Sequence, residues 1–312
     1  AALVYGLSNA ATTPNGVSHW GDAKVVAALA AAAVFLGAFW AIEARSKDPL
    51  LPFRVLRSRD RAGAYLIMLC AGTGLLGMFF FLNLFLQDVW GYSALRTGLA
   101  FLPFPPAFMA TSALTQRAVT RIGPRPLLVA GSAVSAGAMI WLSRLTEHSS
   151  FVGGVLGPML LLGAGMGPLF VLLFLLGLTK VRDDDTGVAS SMVNVAQQVG
   201  GAIGLAIVGT VAWSAVASNL RSALHGSALT AATAHVQIYR HALATGFSGG
   251  YLVSAGVLAV ALIVALVVVH VRRSDLSGVG PTSLPEPEEL RADSRHHGNG
   301  SLGEPIDATT GS

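Results

Sequence analysis

The sequence carries little charge and almost no cysteine. Charged residues make up 12% of its 312 residues, whereas a typical soluble domain has about 25%, and its mean hydropathy is +0.63. This composition excludes an ordinary water-soluble domain. The single cysteine, Cys70, excludes an intrachain disulfide because no second thiol is present to pair with it.

Titratable side chains are missing where chemistry inside a membrane would need them. All 16 Asp and Glu residues fall outside the centres of the apolar stretches, and the eight His residues lie in loops, at the end of an apolar stretch or in the C-terminal tail. The sequence also lacks an HExxH motif and any metal-ligand spacing. Because an intramembrane enzyme needs acids or histidines at depth, the sequence predicts no catalytic site, no metal and no cofactor.

The sequence does contain long runs without charge. A helix needs about 20 residues to cross a bilayer, and a charge at its centre costs about 2.5 to 3.5 kcal/mol. Seven stretches satisfy both conditions: residues 25–42, 62–86, 98–116, 126–143, 149–179, 186–220 and 242–269. The sequence therefore predicts an all-α, polytopic membrane protein.

The formal net charge of +4 does not indicate a nucleic-acid partner, because the basic residues alternate between the two sides of the predicted membrane. Of 20 Lys and Arg residues, 13 fall in the segments 43–61, 117–125, 180–185 and 272–273, five fall in the alternate loops, and the last two lie in the tail. By the positive-inside rule, the richer segments and the C-terminus face the cytoplasm. The loops at 87–97 and 215–246 are then external, and the predicted location is the cell inner (plasma) membrane.

The last six spans group into two successive triplets. Because each triplet has an odd number of spans, the second lies upside down relative to the first, as in the inverted 3+3 half of a transporter. The predicted organisation is the end of a truncated helix and an outer loop at 1–24, a linker helix and an Arg-rich cytoplasmic loop at 25–61, a six-helix transporter half at 62–271, and a disordered cytoplasmic tail at 272–312.

One predicted span, 186–214, carries a stripe of polar and small residues. Steps of four, three, four and three place them on one helical face: Ser190, Asn194, Gln197, Gly201 and Gly204. Such a face avoids lipid, either by packing on another helix or by lining a wet cavity. We predict that the glycines pack against another helix and that the serine and amides line a substrate cavity.

Glycines also mark the span 149–179. Gly157, Gly163 and Gly167 recur within two GxxxG pairs, and the second glycine of each pair, Gly157 or Gly167, lies beside a proline. This spacing favours close helix packing together with a flexible bend. A role in gating is the weaker of the two interpretations.

The first complete triplet offers an aromatic surface. Phe104 and Phe108 lie in its second span, and Asn83 and Gln87 lie near the end of its first. Such a wall can hold bulky apolar or cationic compounds through dispersion and cation-π contact. The alternative is that these phenylalanines face lipid or the protein core.

Four ordered motifs resemble the fourteen-helix drug:proton antiporter (multidrug exporter) branch of the major facilitator superfamily. They are PLLPFRVLRSR at 49–59, LFLQDVWGYSALRTGLAFLP at 84–103, RIGPRPLLVAG at 121–131 and GVASSMVNVAQQVGGAIGLAIVGTV at 187–211. The resemblance covers residues 1–271 and implies a C-terminal portion only, from the end of the seventh helix to the fourteenth. It also implies proton coupling, with the membrane-embedded acids in a missing N-terminal six-helix half.

The same resemblance assigns Arg121, Gly123 and Arg125 to a cytoplasmic loop motif in which an acid precedes the first Arg. Thr120 stands at that position here, which weakens a charge-relay role for the loop. Arg121 is still placed to meet a helix C-terminus, where a cation is stabilised by the helix dipole.

These features favour a secondary active transporter that exports hydrophobic or cationic small molecules against proton entry. This chain would form one wall of the central cavity, and its partners would be the lipid bilayer, the substrate, protons and the missing half. The alternative is a truncated membrane scaffold or partner subunit that does not transport, because half a carrier cannot enclose a central path unless it dimerises.

Overall fold

Lipid cannot satisfy backbone hydrogen bonds, so a polytopic chain must form helices or a closed barrel, and this chain forms helices. The computed structural model describes residues 22–45, 58–178, 186–226 and 232–269, and all regular structure within these ranges is helical. The remaining residues, which include the Arg-rich loop, the second cytoplasmic loop and the tail predicted above, lie outside the described part of the chain.

Eight α-helices and two π-helical turns make up the described residues: α1 Ala23–Arg45, α2 Arg59–Leu84, α3 Ala94–Ala100, α4 Phe104–Ile122, α5 Pro124–Leu142, α6 Gly157–Leu178, α7 Thr186–Gly226 and α8 Ala232–Val267. The π-helical turn Phe85–Val89 extends α2, and Phe151–Leu156 precedes α6. Six segments of the described chain are long and apolar enough to cross a membrane. They correspond to all or most of α1, α2, α5, α6, α7 and α8, and the segments of α2 and α6 include the adjoining π-helical turns. The prediction of an all-α polytopic protein is confirmed.

The predicted span 98–116 is divided into two helices. α3 ends at Ala100, a turn occupies 101–103, and α4 begins at Phe104. The break is caused by three prolines, Pro103, Pro105 and Pro106. Proline lacks an N–H and is tolerated in a helix only in the first turn. α4 is 19 residues long, but the polar residues of its last turns leave it less apolar than the other six segments.

The prediction of a loop at 215–246 is wrong, because most of this segment is helical, and its external location stays a prediction. α7 continues to Gly226 and α8 already begins at Ala232. Arg221 and Arg240 lie in this region, but Arg, Ala and Leu are strong helix formers in water, and no proline interrupts them. Charge therefore marks the edge of the apolar segment and not the end of the helix.

Two interfaces between the first and second triplets have a counterpart when the triplets are exchanged, although the close contact of α7 with α8 has only a slight counterpart between α4 and α5. α2 packs on α7 as α6 packs on α4, and α2 packs on α8 as α6 packs on α5. The first triplet is α2, α4 and α5, and the second is α6, α7 and α8. Replacing each helix by the one at the same place in the other triplet turns the α2/α7 interface into the α6/α4 interface and the α2/α8 interface into the α6/α5 interface. This correspondence is what an inverted 3+3 repeat requires.

Candidate functional site

Glycines bring α2 and α7 into direct backbone contact. A Cβ on Gly200 would lie 2.5 Å from the Cα of Leu69 and 2.6 Å from its carbonyl carbon, which is closer than any side chain tolerates. The Oγ1 of Thr73 donates a 2.8 Å hydrogen bond to the carbonyl oxygen of Gly200. Gly201 and Gly204 are buried in the same interface. We refer to these five residues as the α2/α7 seam.

A second seam joins α4 and α6. A Cβ on Gly163 would lie 3.0 Å from the carbonyl oxygen of Phe104, and one on Gly167 would lie 2.8 Å from that of Phe108. The Oγ1 of Thr111 donates to the carbonyl oxygen of Ala107 at 2.9 Å and also lies 3.4 Å from that of Gly163. In both seams the residue numbers rise together on the two helices, so each pair of helices runs parallel.

The third glycine predicted for packing has a different neighbour. A Cβ on Gly157 would lie 2.8 Å from the ring of Trp141, so this glycine meets a side chain of α5 and not a backbone. Sequence spacing did not reveal Gly200, Thr73 or Thr111. For Gly200, the GxxxG spacing with Gly204 was an available signal. For the two threonines there was none, because a threonine that bonds across a helix interface cannot be told from other small residues of a span.

Five phenylalanine rings form a continuous row across α2, the turn before α4, α4 and α6. Phe79 lies between Phe101 and Phe104, with ring centroids 5.1 and 5.3 Å away. Phe104 stacks on Phe108 at 6.1 Å, and Phe108 meets Phe170 edge to face at 5.5 Å. All four distances suit favourable aromatic pairs. Only Phe104 is buried, so this aromatic row presents ring surface at the edge of the described bundle.

A pair of amides adjoins the aromatic row. Asn83 lies one helical turn beyond Phe79 and therefore on the same face of α2. The Nε2 of Gln87 donates a 2.8 Å hydrogen bond to the Oδ1 of Asn83, and both side chains are partly buried. Within the described chain, the Nδ2 of Asn83 and the Oε1 of Gln87 have no further hydrogen bond. The structure thus brings together four residues predicted to line the cavity: Asn83, Gln87, Phe104 and Phe108.

The polar residues of α7 lie far from this group. Because Gly200 is level with Leu69 and the helices run parallel, Asn194 is level with the start of α2, about 30 Å from Asn83 along the helix axis. The Nδ2 of Asn194 donates to the carbonyl oxygen of Ser190 at 3.2 Å, and Asn194 is exposed. Gln197 is partly buried. The candidates therefore form two groups at opposite ends of the bundle.

The loop motif between α4 and α5 is held by a different arginine from the one expected. Gly123 has φ +88°, a conformation that glycine adopts without steric cost. The Nη2 of Arg125 donates a 2.5 Å hydrogen bond to the carbonyl oxygen of Leu266, in the last turn of α8, where the helix dipole favours a cation. Arg121 is exposed in the last turn of α4, at the C-terminus of its own helix, and Arg125 makes the hydrogen bond to the C-terminus of another helix.

The described helices form a bundle of two interlocked triplets with an aromatic and amide surface at its edge, which is the architecture that the sequence predicts for half of a transporter. Residues 9–205 match the sequence profile of the Major Facilitator Superfamily, and the chain belongs to this family. It is therefore a multi-pass membrane protein of the transporter class and not an enzyme.

Several curated relatives are named for antibiotic resistance or export. The chain is 35% identical to the puromycin resistance protein pur8 of Streptomyces alboniger over 265 residues, which are 84% of this chain and 51% of that protein. It is 36% identical to the cephamycin export protein CmcT of Amycolatopsis lactamdurans over 197 residues, covering 62% and 40% of the two chains. The tetracenomycin C resistance and export protein of Streptomyces glaucescens is 29% identical over 197 residues, covering 63% and 36%. The chain thus spans about half the length of these relatives, or less.

Proposed function

We propose that the protein is a secondary active exporter of hydrophobic or cationic small molecules, antibiotics included, and that this chain forms one wall of its central cavity. The aromatic row with its adjoining amides carries the proposal. Ring faces attract a cation by about 0.5 to 2 kcal/mol each, and Asn83 and Gln87 offer one donor and one acceptor for orientation. The relatives named for puromycin, cephamycin and tetracenomycin C support antibiotics as substrates.

We propose that export is coupled to proton entry and that the proton-binding acids belong to a second six-helix half. Among the described helices, Asp60 and Asp88 lie at the ends of α2 and no acid lies at the middle of a span. This chain would then bind substrate without carrying the proton. Ser190, Asn194 and Gln197 would line the cytoplasmic mouth of the cavity. The Lys and Arg distribution supports an inner-membrane location with a cytoplasmic C-terminus.

An accumulation assay tests the substrate wall. Cells that lack their own exporters would express the full-length protein and take up a fluorescent lipophilic cation. Phe108→Leu removes one ring face from the aromatic row and should weaken export about two- to fivefold, as expected for a loss of 0.5 to 1 kcal/mol. Phe80→Leu is the matched control, because Phe80 is 43% exposed on α2 and meets Phe81 outside the row. Equal export by both variants would contradict the assigned wall.

The same cells separate coupling from transport. If protons drive export, a protonophore should raise accumulation of the cation to the level of cells without the protein. Export that persists under the protonophore would refute proton coupling and leave the substrate wall standing. If the wild-type protein, expressed at a matched level, changes the accumulation of no compound in a panel, a non-transporting scaffold is the better description.

A further inference from the structure

A groove between the end of α5 and the start of α6 lies apart from the aromatic row. We propose that it binds the phosphate headgroup of an anionic phospholipid. Its volume is about 240 Å³ and it is lined by Trp141, Arg144, Leu145, Ser149, Ser150, Gly153 and Gly154. Pockets for drug-sized ligands have volumes of about 300 to 1,000 Å³, so this groove accommodates a headgroup and excludes a typical export substrate.

The groove lies at a boundary of the membrane. α5 ends at Leu142 and the next apolar segment begins at Phe151, so the groove occupies the short connection between two spans, on the side predicted to be external. Trp141 is 46% exposed, and tryptophan is enriched at the level of lipid headgroups. Ile140 and Val152, each next in sequence to a residue at this end of the two spans, expose apolar side chains on which acyl chains can lie.

The polar groups of the groove suit a phosphate. In the described part of the chain, the side chain of Arg144 has no hydrogen bond or ion pair, and a guanidinium can donate two parallel bonds to phosphate oxygens. The Oγ of Ser150 accepts a 3.3 Å hydrogen bond from the N–H of Gly153, so its own hydroxyl hydrogen is available to a ligand. The acid nearest in sequence, Glu147, lies 2.8 Å from the Nδ1 of His241 and is therefore engaged elsewhere.

A lipid headgroup fits the groove better than a free phosphate ion. Arg144 and Ser150 would serve either ligand equally well. The indole of Trp141 and the apolar side chains of Ile140 and Val152 add a favourable contact only when the phosphate carries glycerol and acyl chains. The expected ligand is therefore a phospholipid with net negative charge, whether or not the protein exports drugs.

Native mass spectrometry of the purified full chain in detergent tests the proposal with phosphatidylglycerol as the probe. Phosphatidylglycerol should bind more tightly than phosphatidylcholine, and millimolar inorganic phosphate should not displace it. Arg144→Gln should weaken phosphatidylglycerol binding at least tenfold, equivalent to about 1.4 kcal/mol, and Arg144→Lys should weaken it less. Arg96→Gln is the matched control, because Arg96 is an exposed cation on α3, within the segment 87–97 that is also predicted to be external, and it stacks on Tyr92 at 3.8 Å.

Three outcomes would overturn the assignment. Unchanged binding by Arg144→Gln would remove the groove from the interaction. Equal weakening by Arg96→Gln would show a general effect of surface charge. Displacement of the lipid by inorganic phosphate would identify a site for a soluble anion. Thermal unfolding of each variant, measured in parallel, checks that the comparison is between folded proteins, and Arg144→Lys supplies the test if Arg144→Gln does not fold.

Discussion

Gly200→Ala is the smallest change that should separate two helices of this bundle. The added Cβ would lie 2.6 Å from the carbonyl carbon of Leu69 and closer still to its carbonyl oxygen, whereas ordinary contact begins at about 3.4 Å, so the backbones must part by at least about 0.8 Å. The same movement stretches the 2.8 Å hydrogen bond from Thr73 to Gly200. Overpacking of this kind costs about 1 to 3 kcal/mol, which exceeds the gain of about 0.5 to 1 kcal/mol from replacing a helical glycine with alanine.

The native cysteine provides the assay. Cys70 is the only cysteine of the chain and is 3% exposed on α2, beside the α2/α7 seam. A fluorogenic maleimide will therefore react only as the bundle opens. Heating detergent-solubilised protein in its presence should give a lower melting temperature for Gly200→Ala than for the wild type.

A glycine farther along the same helix serves as the control. A Cβ on Gly209 would have the ring of Phe81 as its nearest neighbour, at an ordinary 3.9 Å, so Gly209→Ala should melt at or slightly above the wild-type temperature. If Gly200→Ala and Gly209→Ala melt together, the close approach of α2 and α7 does not limit stability, and the reasoning from the seam fails.

Three further predictions use other parts of the chain. In a background without the native cysteine, an impermeant maleimide should label a cysteine at position 121 only after the cells are opened; labelling of intact cells would reverse the topology. The pair Asn194→Leu and Gln197→Leu should change which compounds are exported, by about two- to tenfold in affinity for each lost hydrogen bond, and an identical resistance profile would leave these amides a packing role only. The hydrogen bond from His241 lowers the pKa of the Glu147 carboxyl, so its contribution to stability is present at neutral pH and is lost as the pH falls through the lowered pKa; Glu147→Gln should reduce the melting temperature slightly at pH 7 and by a shrinking amount as the pH falls below the ordinary glutamate range, and an equal reduction at every pH would exclude this linkage.

The membrane-spanning segments could be predicted because their signal is local. A charge inside a span is costly whatever surrounds it, so runs without charge located the helices before any packing was known. The same signal failed at 215–246, since it reports where lipid ends and not where the helix ends. The prolines on either side of Phe104 also indicate the break in the helix. A search for charge-free runs does not detect it, because proline is uncharged.

Pairing between helices could not be derived from the sequence. A glycine indicates that another group packs closely at that position, but it does not identify which helix supplies that group. Gly163 and Gly167 were expected to pack, yet only the structure shows α4 as their partner. The glycines of the α7 stripe face α2, whereas Asn194 is exposed about 30 Å from Asn83, a separation that the spacing within α7 does not reveal. Arg125 reaches Leu266 across 141 residues of sequence, a distance at which spacing carries no information.

The two seams also determine when the chain can fold during its synthesis. Each seam joins a helix of the first triplet to one of the second, and 127 residues separate Thr73 from its acceptor on Gly200. At about 5 to 20 residues per second, a ribosome needs roughly 6 to 25 s to make that stretch. During this time α2 is already in the membrane with its glycine-lined face open to lipid. Insertion of these helices can therefore proceed one by one, but their assembly must wait, and the early triplet is the stage at which membrane chaperones and proteases would meet this protein.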